Sequence, residues 1–179
     1  MNKNFLLLLF CLLGLMGCQR DDICPESTAT TPLLIIRFYE NVEPFEATAP
    51  QNLSIREEGN EEYATVRNQT GNVIRYFRYT QDSLAIPLRT DNDVTDYEFT
   101  VNTPQASEEE PVDPGNTDIL RFSYGRQEEY INRACAYKVN YVGLKVELEE
   151  GEDGNWIEEI QIENANIDDQ NQAHVSIFF

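Results

Sequence analysis

The chain contains one histidine, His174, and that scarcity closes off much of the chemistry a 179-residue protein could carry. A serine–histidine–acid triad would have to use it, and no Gly-x-Ser-x-Gly elbow accompanies it. Flanked by Ala173 and Val175, it reads as a structural strand residue. Cysteine is also sparse: there are four, with no Cys-x-x-Cys pair and no Cys/His cluster, which argues against structural zinc. No glycine-rich loop is present to cradle a phosphate. Positive charge is scarce as well, with 13 basic against 32 acidic side chains and a net charge of −19. Phosphate contacts dominate nucleic-acid affinity, so this balance excludes nucleic acid as a partner. Nor is there an apolar run near the roughly 20 residues needed to span a bilayer as a helix. We therefore assign no catalytic, cofactor-binding or metal-ligating residue and expect no cofactor.

What is present begins at the N-terminus. Lys3 gives the first residues one positive charge, and Phe5 to Leu15 then form an apolar run broken only by Gly14. That is the layout of a signal peptide, read here as residues 1–17. Leu15-Met16-Gly17-Cys18 resembles the bacterial lipobox, although Met16 is larger than the usual small residue. The resemblance implies that the Cys18 thiol takes a diacylglycerol through a thioether and that the chain is cut before it. Each buried methylene contributes about 0.8 kcal/mol, so two or three acyl chains hold a protein firmly on a membrane. Gln19-Arg20-Asp21-Asp22 resembles the acidic export signal of Bacteroidota surface lipoproteins. The expected address is the outer membrane, displayed at the cell surface, with a periplasm-facing orientation as the alternative.

The remaining cysteines then form a pair. Cys11 leaves with the signal peptide and Cys18 carries lipid, so Cys24 and Cys135 remain in an oxidising compartment. A disulfide between them is expected, against the alternative of two buried thiols. Residues 18–31, rich in Thr, Asp and Pro, read as a lipid-anchored tether, and residues 32–179 as a single domain. Within it, residues 104–115 hold Glu108-Glu109-Glu110 and three prolines, the composition of a flexible acidic loop.

Elsewhere the apolar period is two. Leu34, Ile36 and Phe38 share a face, as do Leu84, Ile86 and Leu88, then Tyr97, Phe99 and Val101, then Leu120, Phe122 and Tyr124. Cys135, Tyr137, Val139 and Tyr141 continue the pattern. After Gly143 the parity flips to Leu144, Val146 and Leu148, which predicts a glycine bulge. Trp156–Ile162 and Ala173–Phe179 complete about eight strands, Asp153-Gly154 reads as a hairpin turn, and residues 126–133 as one helical turn. The fold class is all-β: an antiparallel β-sandwich, with an immunoglobulin-like arrangement as first choice and another sandwich or open barrel as second.

Several stretches resemble a family of Bacteroidota (flavobacterial) lipoproteins that carries a domain-of-unknown-function label. They are Asp21-Asp22-Ile23-Cys24-Pro25, Thr31 to Tyr39, Asp82 to Leu88, Arg133 to Lys138, Asn155-Trp156-Ile157 and Ala173-His174-Val175. The resemblance implies envelope placement and a β fold. It brings no activity and no catalytic residue.

Smaller signals remain. Asp82-Ser83-Leu84 resembles the short Bacteroidota O-glycosylation motif at Ser83; the competing reading is a strand that starts after an Asp-Ser turn. Asp91, Asp93 and Asp96, and separately Glu150, Glu152 and Asp153, could offer oxygens to calcium, but neither set has EF-hand spacing, and solvated turns are the simpler reading. Tyr76, Phe77 and Tyr79 with Arg75 and Arg78 could form a sugar- or peptide-binding face or simple core packing with snorkelling arginines. The functional expectation is a lipid-anchored binding or accessory module with an envelope-protein or glycan partner. The alternative is a carboxylate-dependent envelope hydrolase, which would need a cleft with convergent acids.

Overall fold

A computed structural model of the chain describes residues 23–25, 28, 30–68, 70–105, 113–149 and 154–179. The signal peptide, Cys18, the acidic export stretch to Asp22, residues 106–112 of the acidic loop, and Glu150 to Asp153 lie outside the described residues. Two compact units are distinguished. The larger holds residues 30–129 and 138–179, and the smaller holds Tyr130–Tyr137 with the N-terminal residues up to Thr28.

Every element among the described residues is a strand: β1 (Leu34–Tyr39), β2 (Ser54–Glu57), β3 (Thr65–Arg67), β4 (Val73–Arg75), β5 (Ser83–Ile86), β6 (Val94–Val101), β7 (Asn116–Asn132), β8 (Ala136–Glu149), β9 (Glu159–Ile162) and β10 (Val175–Phe178). One four-stranded sheet runs β5-β1-β10-β9, the other β2-β6-β7-β8, and β3 and β4 form a two-stranded hairpin. The all-β, sandwich-like fold is as expected, but ten strands replace about eight. Residues 126–133 are not a helical turn, since β7 runs through to Asn132. Nor is Gly154 part of a β8–β9 hairpin, because those strands belong to different sheets. Pairing is antiparallel with one exception: β1 and β10 run parallel, Ile36 opposite Val175 and Phe38 opposite Ile177.

Alternation explains the core. Leu34, Ile36 and Phe38 of β1, Ile86 of β5, and Val175 and Ile177 of β10 are fully buried from one sheet. Ile55 of β2, Phe99 of β6, Leu120 and Phe122 of β7, and Tyr141 of β8 are buried from the other. The parity flip at Gly143 is present: Tyr141 and Leu144 are both buried, and Gly143 sits at φ +65°. Three residues outside β8 cover the bend. Ile167 exchanges backbone hydrogen bonds with Tyr141, the Leu144 N–H donates to Ala165, and the Gly143 N–H donates to the Asn166 side chain at 3.3 Å. At the start of β7, Gly115 has φ +84°, and a Cβ there would run into the Val101 carbonyl oxygen, so only glycine fits.

In the smaller unit, Asn132 shapes the tip of the β7–β8 hairpin by accepting hydrogen bonds from the Ala134 and Cys135 N–H groups at 2.9 and 2.8 Å. Ala136 follows in the left-handed region at φ +58°. Cys135 is disulfide-bonded to Cys24 with a Cα–Cα distance of 4.8 Å, closing a loop of 111 residues.

Candidate functional site

The edge strand β5 is the natural place to look, because an open sheet edge presents unpaired backbone groups. In β5, Leu84 and Ile86 pair with β1, which leaves the backbone of Ser83 and Ala85 facing outward. Tyrosines close that edge. The Tyr76 hydroxyl donates to the Ala85 carbonyl and accepts the Ala85 N–H at 3.2 Å, while the Tyr79 hydroxyl donates to the Ser83 carbonyl at 3.1 Å. The two rings meet edge to face, 5.1 Å apart. Burial pushes the Tyr76 phenol up to about 12, with its bond to Ala85 opposing and Tyr79 adding to the rise. Burial, then Asp82, raises Tyr79 as well. Both remain neutral donors near pH 7.

Next to this covered edge lies an open cavity of about 270 Å3. Leu33, Ile35, Val66, Ile74 and Ala85 supply apolar wall, and Arg67, Asn68, Ser83 and Gln170 supply polar groups. The lining includes no carboxylate and no histidine. Apolar walls with a few polar groups are the usual make-up of a small-ligand site. Ser83, flagged by its motif, is itself the first residue of β5, where the turn reading had the strand begin after it, and it also lines this cavity. Val66 and Ile74 come from β3 and β4, strands too short and too exposed for their alternation to show.

The aromatic–arginine run divides. Tyr76 is core and Tyr79 is half-buried, whereas Phe77 joins a stack with Tyr63, the ring centroids 4.8 Å apart. The Arg56 guanidinium lies 4.4 Å from the Tyr63 centroid and donates to its hydroxyl at 2.7 Å. Arg75 covers both Tyr63 and Phe77. Arg78, at φ +51°, donates to the Thr103 carbonyl, and its own N–H reaches the Ser54 hydroxyl at 3.0 Å. Tyr76 and Arg78 thus serve structure, as the core-packing reading expected.

A second, polar cavity of about 210 Å3 is lined by Glu57, Asn60, Glu62, Tyr63, Thr65 and Tyr97, among others. Two carboxylates, Glu57 and Glu62, line it, but Glu57 already pairs with Arg89 at 3.1 Å. Of the acids weighed for calcium, the three that lie among the described residues are similarly engaged. Asp96 faces Arg121 across the β6–β7 ladder and binds it through two oxygens at 3.0 and 3.2 Å. Asp93 binds Arg126 at 2.6 Å, and Asp91 lies 3.9 Å from Arg89. No group of three metal-ligating side chains occurs among the described residues.

His174 is buried, and its Nδ1 accepts the Ile35 N–H at 3.0 Å while its backbone N–H donates to the Ile35 carbonyl. The ring stands in for a strand carbonyl at the end of the β1–β10 ladder. Burial lowers its pKa, with Asp169 and Asp168 opposing, so the imidazole is held neutral.

Residues 53–179 match a family model described as Family of unknown function (DUF6452). The matched stretch spans β2 to β10 and supplies all of the cavity beside β5 except Leu33 and Ile35. No curated protein and no solved structure matches the chain. Since the match takes in well over half of the chain, this protein belongs to the DUF6452 family, whose function is unknown.

Proposed function

We propose that this chain is a Bacteroidota envelope lipoprotein, anchored by lipid on Cys18, whose β-sandwich serves as a binding or accessory module at the cell surface. The observation that carries this reading is the Cys24–Cys135 disulfide. Disulfides persist in oxidising compartments, which is where a signal peptide and lipobox would deliver the chain. The cavity beside β5 is the place where such a module would hold a partner's side chain or the apolar face of a sugar. Its lack of acids favours binding over hydrolysis, and the Glu57–Arg89 pair weighs against carboxylate chemistry in the polar cavity.

Three measurements test this. Cys18→Ala should abolish acyl labelling and membrane retention; labelling that persists would refute the lipobox. Intact mass of the mature protein reads acylation and any sugar on Ser83 together, and a glycan there would fill the mouth of the cavity. Affinity capture of the lipidated protein from its native envelope should recover a companion that is lost when Gln170→Trp obstructs the cavity mouth. Recovery of no stable companion would sink the accessory-module reading.

A further inference from the structure

The smaller unit carries exposed apolar side chains beside the Cys24–Cys135 disulfide. Tyr130 and Tyr137 stack edge to face, their centroids 5.2 Å apart, yet they are 58% and 61% exposed. Ile23, which precedes the disulfide-bonded Cys24, is 84% exposed. Large apolar side chains gathered in solvent mark an interaction surface more often than chance. The charge is local too: from Tyr130 to Tyr137 the one ionisable side chain besides the phenols is Arg133, which is exposed, in a chain whose net charge is −19.

We propose that this tip docks on the bilayer interface, with the Tyr130–Tyr137 pair and Ile23 at the headgroup level. The inference rests on the reading of Cys18 as the lipidated residue. Chain length is the first support. Cys24 lies six residues beyond Cys18, and at 3.3–3.6 Å per residue their reach is at most about 22 Å. The disulfide makes that limit apply to the hairpin tip itself, because Cys135 is bonded to Cys24. Chemistry is the second. Tyrosine combines an apolar ring with a polar hydroxyl and is enriched at membrane–water interfaces for that reason. Charge is the third: an acid-rich surface is repelled by anionic headgroups, whereas Arg133 is attracted to them. With the anchor inserted, contact between tip and membrane is an intramolecular event, so a small patch suffices.

The test uses the full lipidated protein in vesicles of phosphatidylethanolamine and phosphatidylglycerol, with brominated acyl chains as the quencher. Tyr137→Trp and, separately, Tyr130→Trp place a fluorophore at the tip, and wild type supplies the Trp156 background. Flotation of each protein with the vesicles reports the anchor. The expected result is flotation together with loss of the added tryptophan emission in brominated vesicles, for both variants. Flotation with the added emission unquenched overturns the docking surface and leaves the anchor intact. Failure of wild type to float overturns the anchor, and the docking surface with it. A surface kept for a second protein copy would leave the added emission unquenched and so counts against the proposal.

Discussion

His174 is a base placed where the backbone needs an acceptor. Protonation of Nδ1 would break its bond to the Ile35 N–H, so the fold holds the ring neutral and its pKa is depressed by burial. The unfolded chain therefore binds a proton more readily than the folded one. The contribution is whole above the unfolded value of about 6.5 and is lost as pH falls through it toward the folded value. Each unit separating the two is worth about 1.4 kcal/mol. We expect His174→Gln, whose carbonyl oxygen keeps an acceptor in reach, to flatten the fall in urea midpoint between pH 7 and 5 relative to wild type. Parallel profiles for the two proteins would show that other groups set the acid sensitivity. At this scale the sequence was partly legible. A lone histidine between Ala173 and Val175 signalled a structural role, but the bond to Ile35 depends on β10 running parallel to β1, which no local pattern encodes.

Strands in this protein are finished by phenols. Tyr97, Tyr124 and Tyr141 project from β6, β7 and β8 and donate to the carbonyls of Pro87, Arg89 and Leu88, at 2.7, 3.1 and 2.9 Å. Successive residues of the segment that follows β5 are thus held from three adjacent strands. Burial is the leading cause raising all three phenols: Tyr141 reaches about 12, and Tyr97 lies above the ordinary phenol range with Glu57 adding to burial. An acid whose folded pKa is raised stabilises the fold fully below its unfolded value and loses that contribution as pH rises past it. Ultraviolet titration of the folded protein should therefore show only some phenols ionising near pH 10, with the rest appearing on alkaline unfolding. Uniform ionisation near pH 10 would mean the clasp is open in solution. The edge of β5 gives a second test. Tyr76→Phe removes the hydroxyl that serves both backbone groups of Ala85, at a cost of about 1–2 kcal/mol. The Ala85 amide should then exchange with deuterium faster, and unchanged protection would argue against the tyrosine as its partner. The long strands were readable because alternation over five or more residues is unambiguous. The strands β2, β3 and β4 have three or four residues each and little burial contrast, so period alone could not find them. Asp153-Gly154 misled for another reason: a local turn signal does not say which sheet the next strand joins.

At the level of the whole chain, the disulfide is the strongest covalent constraint, and its stabilisation follows from the length of the loop it closes. A loop of about 100 residues corresponds to roughly 4.7 kcal/mol in the chain-entropy account. Reduction, or Cys135→Ser, should lower the urea midpoint by up to that amount, and the mature unreduced protein should show no free thiol. Alkylation of both Cys24 and Cys135 without reductant would defeat the pairing. Fold class and this pairing were legible because each follows from simple rules, a period of two and a count of available thiols. The cavity was not, since its walls come from residues as far apart as Leu33 and Gln170. The position of the disulfide also has a mechanical meaning. Tension applied to the residues before Cys24 has a second covalent path besides the backbone into β1. That path crosses the sulfur bridge and enters at Cys135, in the hairpin turn between the two longest strands. The 111-residue loop between the two cysteines is closed by the bridge, so a pull from the N-terminus cannot extend it, β1 included, while the bridge is intact.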